Sequence, residues 1–92
     1  MAKILIAEDD IVAQKVTKAI VEDMGHTAFV SPDGEHALKA LTASNDFSLL
    51  ITDVMMPDMD GRTLIRTLRS DAAFKGLPIV IISAQEAIRA VP

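Results

Sequence analysis

The chain contains no cysteine, no tryptophan and no tyrosine, and its three aromatic residues are all phenylalanine. Without thiols there are no disulfides and no thiolate metal site, so a metal would have to be held by oxygen or imidazole. So few aromatics leave no stacking surface of the kind that grips single-stranded nucleic acid. Positive charge is scarce as well: nine Lys plus Arg stand against thirteen Asp plus Glu, a net charge of -4, with no basic block anywhere. That balance disfavours direct binding to a phosphate backbone. No apolar run is long enough for a signal peptide or a membrane span, so a soluble, cytoplasmic protein is expected.

What the chain does have is apolar residues, at half of its 92 positions, enough for the core of one small domain over residues 1–92. Four short apolar runs, Lys3–Ala7, Thr27–Val30, Leu49–Thr52 and Pro78–Ile82, alternate with three segments of helical period. This βαβαβαβ order predicts a parallel sheet. The run Ile79-Val80-Ile81-Ile82 does not alternate with polar residues, so its strand needs cover on both faces, as a doubly wound sheet provides. The first helix is predicted to start after Asp10 as N-cap, to bury Val12, Val16, Ala19 and Ile20, and to close at Gly25 in a left-handed cap. The second buries Ala37, Leu38 and Leu41. The third buries Leu64, Ile65 and Leu68 and turns Arg62, Arg66 and Arg69 to solvent. His26 and His36 read as isolated surface residues, and Met55, Met56 and Met59 as packing side chains.

Two of the predicted strands end in acid. Ile4-Leu5-Ile6-Ala7 runs into Glu8-Asp9-Asp10, and Ile51-Thr52 runs into Asp53, after which Pro57 and Gly61 bend the chain away. In open α/β sheets, ligands bind beyond the carboxyl ends of the strands, where strand order reverses. Glu8, Asp9 and Asp53 are therefore expected together at one edge, where mutual repulsion raises their pKa values unless a cation neutralises them. Mg²⁺ suits such a site, since it takes oxygen ligands and uses one or two carboxylates; the backbone carbonyl of Met55 offers a further, neutral ligand. Beside the metal, Asp53 is placed to attack a phosphoryl group.

Glu8-Asp9, then Thr52-Asp53-Val54-Met55-Met56-Pro57 with Gly61, then Ile81-Ile82-Ser83-Ala84, together resemble a two-component response-regulator receiver domain, over the whole length of the chain. The resemblance implies a flavodoxin-like strand order and an Asp53 that accepts phosphate from a histidine kinase or phosphotransfer protein. It also implies Mg²⁺ held by Glu8 and Asp9, and a Ser83 hydroxyl that bonds the phosphoryl group and moves inward with it. Ala84 would leave open space above the acceptor. Pro57 and Gly61 match the family's loop, where Pro stiffens the bend and Gly allows unusual backbone angles.

The resemblance stops short at one end. A receiver continues through a fourth helix, a fifth strand ending in a phosphate-binding lysine, and a fifth helix, whereas this sequence reaches Pro92. The expected fold is thus a receiver lacking the fifth strand and fifth helix. Ile79–Ile82 would then be a bare edge, with Ala87, Ile88 and Val91 of the tail at helical spacing. Self-association by pairing of fourth strands or by exchange of the C-terminal segment is the expected outcome. Three functions follow from these residues: a phospho-accepting switch; an interaction module that keeps the fold without switching; and a haloacid-dehalogenase-like phosphatase. The last requires a second Asp two residues after the nucleophile, where this chain has Met55, so enzymatic turnover is not expected.

Overall fold

The computed structural model describes residues 1–82 in full and, beyond them, the main chain of Ser83 and of Glu86–Val91. The elements run β1 (Lys3–Ala7), α1 (Ile11–Asp23), β2 (Thr27–Ser31), α2 (Gly34–Ala43), β3 (Leu49–Asp53), α3 (Gly61–Arg69), a 3-10 turn (Ala72–Phe74), β4 (Ile79–Ser83) and β5 (Glu86–Val91). The strands form one sheet in the order β2-β1-β3-β4-β5. The first four are parallel, so their C-terminal ends share an edge. The order reverses at β1, which has β2 on one side and β3 on the other.

Alternate residues of the strands feed two apolar layers, as the period of two requires. On one face Leu5, Ala7, Leu50 and Ile79 pack with Ala37 and Leu41 of α2, Leu64 and Leu68 of α3, and Phe74 and Leu77. On the other, Ile4, Ile6 and Ala28 pack with Val21 of α1. The sheet is therefore doubly wound, as the uninterrupted apolar runs imply. Gly25, at φ 91, ends α1. Its N–H donates to the Glu22 carbonyl at 3.0 Å and that of His26 donates to the Val21 carbonyl at 3.2 Å, the paired bonds of a Schellman cap.

Helix α1 departs from the predicted face. Val12, Val16 and Ile20 are 69%, 54% and 56% exposed, and Ala19 is exposed too. The helix instead rests on Val21, with Ala13, Gln14 and Thr17 half-buried. Positions 12, 16, 20 and 13, 17, 21 are adjacent stripes of the same period, and hydropathy alone favours the wrong one. The buried side is the one that seats Val21 against Ile4, Ile6 and Ala28, and on it the Gln14 Nε2 donates to the Glu8 carbonyl at 2.6 Å. With Gln14 turned toward the end of β1, the valine stripe swings outward.

The far edge also differs from expectation. A parallel fifth strand and a fifth helix do not occur among the described residues, yet β4 is not bare. Glu86–Val91, expected to be helical, is a strand that pairs antiparallel with β4, Ile79 opposite Val91 and Ser83 opposite Glu86, with an irregularity between Ile81 and Ser83. Connection length explains the direction: a parallel neighbour needs a crossover of a dozen or more residues, an antiparallel one only a short turn. A six-residue helix would be marginal in water, whereas the strand pairs the backbone groups that β4 would otherwise leave open. The unpaired fourth strand, which motivated the expected self-association, is thus already paired within the chain.

Candidate functional site

The acidic cluster follows from register. Ala7 of β1 pairs with Thr52 of β3, so the residues next in sequence, Glu8 and Asp53, leave the sheet side by side. Carboxylate oxygens of Glu8, Asp9 and Asp53 all lie within 4.8 Å of one another, as the sequence predicts. Asp10 stands apart as the N-cap of α1, its carboxylate accepting from the Ala13 N–H at 2.8 Å. Met55 follows β3 and is 76% exposed. Met56 and Met59 pack against the α2/α3 core. Ser83 ends β4, one residue beyond Ile82, which pairs with Asp53. Its main chain is therefore at the same edge. Ala84 lies outside the described residues.

The three carboxylates are not equivalent. Glu8 is 9% exposed, and its carboxylate accepts from the Asp10 N–H at 3.1 Å. Its pKa is pushed from the ordinary 4.5 up to about 7, chiefly by burial, with the neighbouring charge of Asp53 and hydrogen bonding to Asp53 and Asp9 acting in the same direction. Asp53 is half-buried; its Oδ1 accepts from the Val54 N–H at 2.7 Å, leaving Oδ2 as the oxygen not tied to the following main chain. Thr52 beneath it is fully buried, and its hydroxyl donates to the Asp53 carbonyl at 2.9 Å.

Whether the donor set fits Mg²⁺ can be judged from its chemistry. It is all oxygen, it comprises three carboxylates at one strand edge, and its atoms are close enough to converge on one ion. A small hard dication that ligates carboxylates and keeps its remaining waters fits those three properties.

The loop after Asp53 is fastened at two glycines. The Gly61 N–H donates to the Val54 carbonyl at 2.9 Å and the Gly34 N–H to the Met59 carbonyl at 3.1 Å. A Cβ at Gly61 would collide with the Asp53 carbonyl oxygen, and one at Gly34 with the Met59 carbonyl oxygen. Asp60 caps α3, accepting from the Thr63 N–H at 2.9 Å, which holds its pKa low.

Sequence reasoning missed several of these contacts. Gln14 carried no motif, and Thr52 entered its motif without a role of its own, although both are polar residues inside apolar periodicity, a pattern that asks for a hydrogen-bond partner. The expectation for the histidines holds only in part: His36 is exposed as expected, but it is not isolated. His36 is partnered by the 5%-exposed Asp33, three residues earlier, with Nδ1 2.8 Å from its Oδ2. Asp33 also caps α2, accepting from the His36 N–H at 2.8 Å; this bond first, and the His36 ring second, lower its pKa against the effect of burial. The spacing of Asp33 and His36 was visible, but a cap three residues before a His signals a contact only once the ring's rotamer is known. His26 accepts from the Ala2 N–H at 3.0 Å through Nδ1 and is half-buried, not a surface residue.

The fold with an acidic triad at its point of strand reversal defines a receiver-type α/β domain, and comparison bears this out. The family model for the response regulator receiver domain matches residues 4–91; the chain belongs to this family, the receiver domain of two-component systems. It is 37% identical over 84 residues to the chemotaxis protein CheY of Pseudomonas aeruginosa, covering 90% of this chain and 67% of that protein. It is 34% identical over 82 residues to the gliding motility regulatory protein of Myxococcus xanthus, covering 89% of this chain and 10% of that one. Among solved structures, it superposes on the chemotaxis response regulator CheY4 of Vibrio cholerae with TM-score 0.87 at 28% identity, covering 95% of this chain and 72% of that one. The chain thus spans a tenth of one curated relative and about two thirds of the other. No helix among the described residues is long and apolar enough to cross a membrane.

Proposed function

We propose that the chain is a phospho-accepting switch of the bacterial phosphorelay kind, working in the cytoplasm, with Asp53 as acceptor. The observation that carries this reading is the convergence of Glu8, Asp9 and Asp53 carboxylates within 4.8 Å at the end of parallel strands. Asp53 Oδ2 attacks the phosphorus of a phosphohistidine on a histidine kinase or phosphotransfer protein; the new P–O bond forms as the P–N bond breaks, and the bonding pair leaves with the donor's imidazole. The Val54 N–H holds the other carboxylate oxygen, so the attacking atom is oriented before the donor arrives. Glu8, Asp9, Asp53 and the Met55 carbonyl would hold Mg²⁺, which would supply positive charge against the phosphoryl oxygens. Ser83 supplies a hydroxyl to the phosphoryl group from the end of β4. The domain accepts the group and does not turn over substrates; it has Met55 where the phosphatases have a second Asp.

Two variants test the assignment. With Mg²⁺ and a small phosphodonor or beryllofluoride, mass spectrometry is expected to place the adduct on Asp53, and Asp53→Asn is expected to take up none; an adduct on another residue refutes the acceptor. Asp9→Ala removes the exposed ligand while sparing the core, and Mg²⁺ affinity by calorimetry is expected to fall by about tenfold or more. Unchanged affinity would refute the metal site.

A second reading, a receiver-fold interaction module that does not switch, is favoured by one observation. Ser83 pairs with Glu86 across the β4–β5 connection, so an inward movement at Ser83 must carry β5 with it. Amide exchange along β4 and β5 with and without beryllofluoride separates the two readings: protection that changes supports the switch, and identical protection in an adduct-bearing protein supports the module.

A further inference from the structure

The side chain of Gln14 reaches from α1 to the main chain between two of the acids. Its Nε2 donates to the Glu8 carbonyl at 2.6 Å, the nitrogen being the only donor the amide has. The Glu8 carbonyl needs that donor because of where the sheet ends. In a parallel ladder the N–H and C=O of one residue point to the same neighbouring strand. The Glu8 N–H donates to the Ser31 carbonyl of β2 at 3.0 Å, so the Glu8 carbonyl faces β2 as well, where its ladder partner would be the N–H two residues past Ser31. β2 stops at Ser31, and after Pro32 the chain turns to make Asp33 the cap of α2. Glu8 is buried, and a carbonyl left there without a donor is costly. Gln14 stands in for the strand that has ended.

We propose that Gln14 is a positioning residue for the metal, a role that rests on the reading of Glu8, Asp9 and Asp53 as the Mg²⁺ and phospho-acceptor site: it sets the affinity of the acids for the ion without touching it. The oxygen it holds belongs to the peptide unit that joins Glu8 to Asp9. That unit is planar, so holding its oxygen orients the Cα atoms on both sides, from which the two carboxylates project. Three other bonds brace the turn: the Glu8 N–H to the Ser31 carbonyl, the Asp10 N–H to the Glu8 carboxylate at 3.1 Å, and the Ala13 N–H to the Asp10 carboxylate at 2.8 Å. None of the three acts on the peptide between Glu8 and Asp9. Asp9 is exposed, so packing does not hold its side chain and its direction follows the main chain. Without the Gln14 bond, that peptide rotates its oxygen toward water and carries the Glu8 and Asp9 carboxylates away from Asp53. The ion must then re-order the turn as it binds, which weakens binding. Once bound it holds the turn itself, so the loss disappears at saturation.

Calorimetric titration of the intact chain with Mg²⁺ tests the role, using Q14M, Q14A and V21A. Q14M keeps the length of the side chain and removes the donor; Mg²⁺ affinity is expected to fall by about tenfold. Formation of the beryllofluoride adduct at Asp53 is expected to need correspondingly more Mg²⁺ and to reach the native extent when Mg²⁺ saturates. Q14A removes the donor without adding bulk and gives a second reading of the same loss, independent of how methionine packs. V21A deletes a core contact of the same helix, seven residues or about 10 Å further along it; it is expected to lower the melting temperature and leave Mg²⁺ affinity within about twofold of native. Native affinity in both Gln14 variants overturns the proposal and leaves the acidic site standing. Equal weakening in V21A also overturns it, by making helix stability the cause, as does an adduct that stays incomplete in Q14M at saturating Mg²⁺. A native chain that binds no Mg²⁺ overturns it at its root, because the site reading itself has then failed.

Discussion

In the absence of divalent ions, the domain is expected to be about 2–3 kcal/mol less stable at pH 8 than at pH 5, through Glu8. The sign follows from the raised pKa. Below 4.5, Glu8 is protonated in both folded and unfolded chains. Between 4.5 and about 7 the unfolded chain ionises while the folded one keeps its proton, so stability falls with rising pH and then levels off. Asp33, Asp46 and Asp60 have lowered pKa values and act in the opposite sense, only below 3.8, outside this window. Mg²⁺ in excess is expected to displace the Glu8 proton and abolish the decline, so metal affinity should climb as pH rises toward 7. For a domain of this size the difference corresponds to a melting shift of about 10 °C or more. Thermal unfolding at the two pH values, with and without Mg²⁺, measures it. Glu8→Gln is expected to remove the pH dependence and most of the stabilisation by Mg²⁺; a Glu8→Gln protein whose melting still falls between pH 5 and pH 8 would assign the proton elsewhere.

Gly61→Ala is expected to cost about 3 kcal/mol or more in urea unfolding and to impair phosphoryl uptake at Asp53. An added Cβ meets the Asp53 carbonyl oxygen and the backbone of Val54, groups that cannot rotate aside, so α3 must move away from the end of β3. The Gly61 N–H bond to the Val54 carbonyl is lost with that movement, and the main chain on which the Asp53 carboxylate is mounted moves with it. Gly76→Ala provides the control: nothing lies within 4 Å of the added Cβ, and stability is expected to stay within about 0.5 kcal/mol of the native chain. Equal effects at the two glycines would mean that lost backbone freedom, not the collision beside Asp53, governs the result.

Much of this site was legible before the fold was known, because a parallel sheet converts sequence position into spatial position. A strand that ends in acid delivers that acid to the C-terminal edge, so Glu8, Asp9 and Asp53 had to share an edge once β1 and β3 were parallel. That β1 and β3 are neighbours came from the family pattern, and register then set Glu8 beside Asp53. The caps Asp10 and Gly25 were equally legible, since they act through bonds to residues only a few positions away.

The remainder depended on contacts between segments distant in the chain. Composition and the order of apolar runs determined a parallel α/β domain with an oxygen-ligand site and no thiol chemistry. Hydropathy pointed to the wrong side of α1, because its two stripes have the same period; the buried side is the one that packs Val21 on the sheet and brings Gln14 to the Glu8 carbonyl. The six residues from Glu86 to Val91 carry apolar side chains compatible with a helix. They form a strand because β4 presents an unpaired row of backbone donors and acceptors alongside, and hydropathy does not record where such a row lies. Burial of Glu8, and with it the pKa near 7, likewise required the packed structure, since desolvation depends on every segment around the carboxylate. Local bonds and strand ends are written in the sequence; the rotation of a helix, the covering of an edge and the charge state of a buried acid arise only when the whole chain has packed.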